Sequence, residues 1–237
     1  MKSIYIISTF VLAAASVTPV YAEDSAVVYT LDFTSKYIWR GWDLTPKNKP
    51  AVQPGVSYSK GSMEYGYWSS FALTNRNELS SFDEFDVYFS YNSSFGETTE
   101  YSVGLTYYSW LNDDNFSFDG NTTPEQFITV TDSRMPYGLS FGLYYDLNLG
   151  DGVYLLASGD HSMNFAERVV DFSLSVGYNG GQWGADSGIS DIVFTAGSSF
   201  EFSFGSLSPA VYYAIIPLSI KGVSLDNKLW FSLGYGR

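Results

Sequence analysis

Apolar and polar positions alternate with a period of two through most of the chain, and the first long instance is Val27 to Gly41. Val27, Tyr29, Leu31, Phe33, Tyr37 and Trp39 fall on one side of an extended strand; Thr30, Asp32, Thr34, Lys36 and Arg40 fall on the other. Successive strand side chains point to opposite faces, so one face is oily and aromatic and the other polar. The run is also long enough to cross a bilayer as a tilted strand, which takes roughly 9–11 residues.

The same rule generates the strands that follow. Val52, Pro54, Val56 and Tyr58 form the next apolar set, closed by a Lys60-Gly61-Ser62 turn. Met63, Tyr65, Tyr67, Phe71 and Leu73 alternate with Glu64, Gly66, Trp68, Ser70 and Ala72. Phe85, Val87, Phe89 and Tyr91 oppose Glu84, Asp86, Tyr88 and Ser90, and Tyr101 to Tyr107 repeats the pattern. A loop is expected over Leu111 to Glu125. The strand near Gln126 to Ser133 is the least regular, because Phe127 competes with Ile128 and Val130 for the apolar face. Leu139 to Leu147, a Gly150-Asp151-Gly152 hairpin signal, Val153 to Asp160 and Val170 to Tyr178 come next. A loop over Asn179 to Gly188 precedes strands near Asp191 to Ser199, Ser206 to Ile216 and Lys228 to Gly236. This predicts an all-β domain of about twelve strands, with ten or fourteen as the neighbouring counts, joined largely by alternating short turns and longer loops as in outer-membrane barrels.

Composition decides between a membrane barrel and a soluble sandwich, which also alternates. Charged residues make up 16% of the chain, against about 25% in an ordinary soluble domain. Aromatics make up 19%. The polar face carries Ser, Gly, Thr and Tyr with single acids rather than the many Lys and Glu of a wet surface, which suits an enclosed lumen. Tyr and Trp recur near strand ends on the apolar face, as in Tyr37, Trp39, Tyr58, Tyr65, Tyr91, Tyr101, Tyr107, Tyr145, Tyr178 and Tyr235, the pattern of interfacial girdles.

Lys2, the apolar run Ile4 to Ala15 and the Val20-Tyr21-Ala22 site read as an export signal cleaved after Ala22. The expected organisation is therefore a signal peptide over 1–22 and one antiparallel transmembrane β-barrel over 23–237. The chain has no cysteine, so neither disulfides nor thiolate metal sites contribute. Without Lys2, 11 basic residues face 25 acidic ones, a formal charge of −14 that argues against nucleic acid as a partner and against general binding to anionic lipid headgroups.

Thr34-Ser35-Lys36-Tyr37-Ile38-Trp39-Arg40-Gly41, followed by Lys49-Pro50-Ala51-Val52-Gln53-Pro54-Gly55, resembles the start of the TorF-type porins of Gram-negative bacteria. Gly66-Tyr67-Trp68-Ser69-Ser70 and Glu84-Phe85-Asp86 are similar to that family's next landmarks. The resemblance is most specific over Asp32 to Tyr91. It implies an outer-membrane barrel that conducts small solutes, with outer-membrane lipid and lipopolysaccharide as surroundings. A homo-oligomer is left open.

Candidate chemistry is sparse. His161 is the only histidine, and adjacent Ser162 belongs to the opposite face, so a hydrolytic dyad is not expected and the chain does not read as an enzyme. Asp113, Asp114, Asn115, Asp119 and Asn121 fail the EF-hand spacing in both frames, so no metal or other cofactor is expected. The lumen is more informative. Asp32, Glu64, Glu84, Asp86, Asp146, Asp160, Asp171 and Asp191 are expected to point inward against Lys36, Arg40 and Lys228, an acidic excess that favours cations. Gln53, Trp68, Ser70 and Asp86 are placed near the height of Arg40. A polar constriction is expected there, with Arg40 facing Asp86 or Glu84.

Overall fold

The computed structural model describes residues 25–45, 49–76, 83–111, 121–217 and 226–237. The expected signal segment over 1–22 and the acids Asp113, Asp114 and Asp119 lie outside these. Fifteen strands occur among the described residues, and twelve of them build a closed antiparallel barrel. These are β1 (Ser25–Thr34), β4 (Ala51–Lys60), β5 (Met63–Ala72), β6 (Glu84–Phe95), β7 (Thr99–Ser109) and β8 (Thr122–Asp132). The circuit continues through β9 (Ser140–Asp146), β10 (Gly152–Phe165), β11 (Arg168–Gly180), β12 (Gly188–Gly197), β14 (Gly205–Ile215) and β15 (Lys228–Gly236). A three-residue strand, β13 (Phe200–Phe202), folds onto the start of β14.

Each barrel strand pairs with its neighbours along the chain, and β1 closes the ring against β15 with Thr30 opposite Gly236. The last residue completes the seam: Arg237 and Tyr29 exchange both backbone hydrogen bonds, at 2.8 and 3.0 Å. Closure leaves no long sheet edge, which is how an antiparallel barrel satisfies its main chain without a covering layer. Ser25, Arg237 and the tight β4–β5, β6–β7 and β10–β11 turns gather at one rim (the turn end). The ends of the β1–β4, β5–β6, β7–β8 and β14–β15 connections, with the short β9–β10 turn, gather at the other (the loop end).

Alternation sorts the two surfaces. Val27, Tyr29, Val87, Leu105, Leu143, Leu155, Phe194, Phe231 and their equivalents are exposed on the outside all round the barrel. Outward Tyr58, Tyr65 and Tyr91 lie near the turn end, and Tyr107, Tyr145 and Tyr178 near the loop end. The ambiguous strand β8 resolves the same way, with Ile128 exposed outside and Phe127 turned inward against Tyr144.

The opening stretch differs from its expectation. β1 ends at Thr34 rather than continuing to Gly41. Ser35 stops it by a backbone bond to Phe231 and a side-chain bond from the Phe231 amide, and the chain then turns into the barrel. There it forms a small hairpin of β2 (Ile38–Trp39) and β3 (Trp42–Asp43). Arg40 and Gly41 occupy its two-residue turn at φ 49° and 87°, the left-handed pair that a type I′ hairpin turn demands. Tyr37 and Trp39 are consequently buried inside the barrel and are not girdle residues facing lipid. The pattern misled because an infolded hairpin also alternates, with its aromatic side against a core rather than a membrane.

Candidate functional site

The infolded hairpin fills the loop-end half of the lumen. On one side Ile38 packs with Tyr212, Ala214, Ile216 and Trp230. On the other, Tyr37 and Trp39 pack with Ala51 and Tyr108, ringed by Trp42, Trp68, Trp110 and Trp183. The base of the hairpin is tied by the Leu44 amide on the Tyr37 carbonyl at 2.8 Å and the Tyr37 amide on Thr45 Oγ1 at 2.9 Å. Gly41 is required by proximity as well as by φ, since a Cβ there would lie 3.0 Å from the Ser190 carbonyl oxygen.

Arg40, at the tip, is the centre of the site. Its guanidinium makes a two-pronged ion pair with Glu125 on β8, Nη1 to Oε2 at 2.6 Å and Nη2 to Oε1 at 2.7 Å. Nη1 also donates to Gln182 Oε1 at 2.7 Å, and Gln182 Nε2 donates to Glu125 Oε2 at 2.8 Å. Tyr108 donates to Glu125 Oε1 at 3.0 Å. The rings of Trp39, Tyr144 and Tyr154 lie 4.4–4.7 Å from the guanidinium carbon. Burial opposes the charge on Arg40, but Glu125 outweighs it and holds the guanidinium above its ordinary range. Planar stacking and paired donors are what arginine, and not lysine, provides.

The expected partners of Arg40 are therefore corrected: Glu125 and Gln182 take it, not Asp86 or Glu84. Glu84 instead accepts from Tyr37 Oη at 2.6 Å. Gln53 Nε2 donates to Ser70 Oγ at 3.2 Å, while one oxygen each of Gln53 and Asp86 is buried without a hydrogen-bond partner among the described residues. Trp68 stands edge-on to Tyr37 and pairs across the sheet with Asp86. Asp32 is buried, its Oδ1 2.6 Å from where a Cβ on Gly234 would lie. Glu64 sits nearer the turn end and accepts from Tyr88 at 3.0 Å. Lys36 lies beyond the end of β1, so it does not belong to that strand's inner face.

Other inward acids are also engaged. Asp146 accepts from Thr123 and from the Asn148 and Gly150 amides, fixing the β9–β10 turn. Asp191 accepts from Tyr154 and Ser190. Ser162 donates to Asp171, whereas His161 stands against Tyr137 on the outside, so the two neighbours serve opposite faces.

Glu125 and Gln182 were missed because both fall in segments expected to be loops. β8 begins three residues before Glu125, and a short 3-10 turn at Gln182–Gly184 points Gln182 inward. The usable signal was parity: Thr123, Glu125 and Phe127 extend the inner face of β8 backwards.

Every barrel strand contributes a side chain to this filled level, and most are closed to water: Gln53, Asp146, Asn179 and Gln182 are 0% exposed, and Glu125 is 1%. Towards the turn end the inward Ser57, Glu64, Ser158, Ser173, Thr195 and Ser208 are only partly buried and Asp160 is exposed. Among the described residues the lumen is thus a polar vestibule open at the turn end and stoppered towards the loop end.

Comparisons agree with this architecture. A KdgM porin structure superposes with a TM-score of 0.50 at 10% identity, covering 88% of this chain and 97% of that one. A NanC porin structure gives 0.50 at 11% identity, covering 89% and 98%. At such identity the likeness concerns the fold alone. No curated protein matches the chain. The resemblance to TorF-type porins is finer than these matches reach, but one family model covers residues 21–213. By that match, the chain belongs to the Gcw_chp family, described as bacterial proteins of unknown function.

Proposed function

We propose that this protein is a porin-like barrel of the bacterial outer membrane, passing small polar or cationic solutes when its internal hairpin leaves the loop-end half of the lumen. The observation that carries the reading is the division of surfaces: an exposed apolar band encircles the barrel while the interior is polar and acidic. A closed barrel with this division is the β-solution to spanning a bilayer. The resemblance to TorF-type porins supports the same reading. With Arg40 neutralised by Glu125, the partly buried Glu64 and the exposed Asp160 give the turn-end vestibule an acidic lining, which attracts cations.

The filled loop-end half favours a second reading, a non-conducting envelope barrel acting through its outer loops. Planar-bilayer recordings of the purified full chain separate the two. Single-channel steps with cation selectivity, rare in the native chain and frequent once the hairpin is loosened, are expected. Silence from both native and loosened proteins would remove the pore. Anion selectivity would remove only the acidic-lumen argument.

A further inference from the structure

The outside of the barrel carries a feature that conduction does not require. Near the turn end, β10, β11, β12 and β14, with the turn before β9, line an apolar groove of about 590 Å³, within the roughly 300–1,000 Å³ of small-molecule sites. Its floor is made by small outward residues, Ala157, Gly159 and Ala196, between larger ones such as Phe172, Phe194 and Tyr213. One wall is the turn before β9. Tyr137 is held there at φ 60°, and its carbonyl oxygen would sit 3.1 Å from a Cβ on Gly159, with Leu139 Cδ2 at 3.3 Å. The wall closes over β10 because Gly159 has no side chain.

Below the groove, towards the rim, lies an available cation. Arg168 begins β11 on the same face as Phe172 and Leu174, four residues from Phe172, roughly 13 Å along a strand. It is exposed and lies 4.9 Å above the Phe200 ring, and among the described residues it has no salt-bridge partner. Arg134, another cation of this rim, is by contrast occupied by Asp132 at 2.6 and 2.9 Å. The strands lining the groove are hydrogen-bonded to one another over most of it, so it offers little edge for an added peptide strand.

We infer that the groove and Arg168 form a binding site for one phospholipid, an acyl chain lying in the groove and the phosphate on the guanidinium. The inference rests on the membrane reading above. An apolar cleft on a lipid-facing surface is filled by hydrocarbon, and a free arginine at its lower end selects a chain that carries an anionic head.

The test is native mass spectrometry of the full chain released from detergent with phosphatidylglycerol or, as a headless control, diacylglycerol. Insertion into liposomes is measured in parallel by protease protection. Native protein is expected to keep one phosphatidylglycerol. Ala196→Phe, which fills the floor, is expected to lose both lipids. Arg168→Gln is expected to weaken phosphatidylglycerol roughly five-fold, the scale of one basic residue at a lipid surface, and to leave diacylglycerol unchanged. Equal retention by native protein and Ala196→Phe, or a groove that instead governs dimer formation, would overturn the site while insertion stood. Failure to insert would remove the membrane reading itself.

Discussion

Replacing Arg40 with alanine tests the stopper directly. The substitution removes two short ion-pair bonds to Glu125, one bond to Gln182 and three ring contacts, all in a region closed to water. Glu125 keeps Tyr108 and Gln182 as donors but loses its counter-charge. Deleting one partner of a buried pair costs about 3–5 kcal/mol. Taking the lower figure, the ratio of docked to undocked hairpin falls by about 100-fold, since about 1.4 kcal/mol is a factor of ten. The barrel wall is built by strands that Arg40 does not join, so circular dichroism should show an intact sheet. Planar-bilayer recordings should then show a rise in open fraction over the native chain. Arg40→Met with Glu125→Met, which removes both charges and leaves apolar volume, should return the open fraction towards native, because a buried pair and an apolar pair are often nearly equivalent. An intact Arg40→Ala barrel with native conductance would refute the stopper.

Other expectations are more local. Tyr37→Phe leaves Glu84 without its 2.6 Å donor and should cost about 1–3 kcal/mol, read as a lower urea midpoint for hairpin-associated tryptophan fluorescence. Gly66→Val should displace Tyr88, whose ring atoms lie 2.0 Å from where the new Cβ must go; the cost is about 1–3 kcal/mol in reversible unfolding, with loss of the Tyr88–Glu64 bond. Leu143→Arg places a charge on the exposed outer band and should destabilise the bilayer-folded barrel by about 2–4 kcal/mol, yet have little effect on conductance.

The barrel was legible in the chain because a closed sheet with two unlike faces repeats one local rule. Val103, Leu105 and Tyr107 on one side and Ser102, Gly104 and Thr106 on the other require no knowledge of distant residues. The period of two therefore determined the strand segments, the outward aromatic sets and the inward acids. It could not determine where a strand stops obeying its sheet. Tyr37, Ile38 and Trp39 keep the alternation of β1, but Ser35 caps the strand on β15 and the Arg40-Gly41 turn sends them inward. Nor could it choose a partner for Arg40. Glu84, Asp86 and Glu125 are all acids of the inner face, and which one meets the guanidinium depends on strand stagger and on how deep the hairpin reaches. Glu125 lies 85 positions from Arg40 in the chain and Gln182 lies 142. The sequence by itself determined that a barrel forms and which face most side chains of its regular strands take, but not that Tyr37, Trp39, Glu125 and Gln182 enter the lumen. Tertiary structure alone decided that its interior is stoppered, because closure depends on depth and register between segments that no local pattern connects.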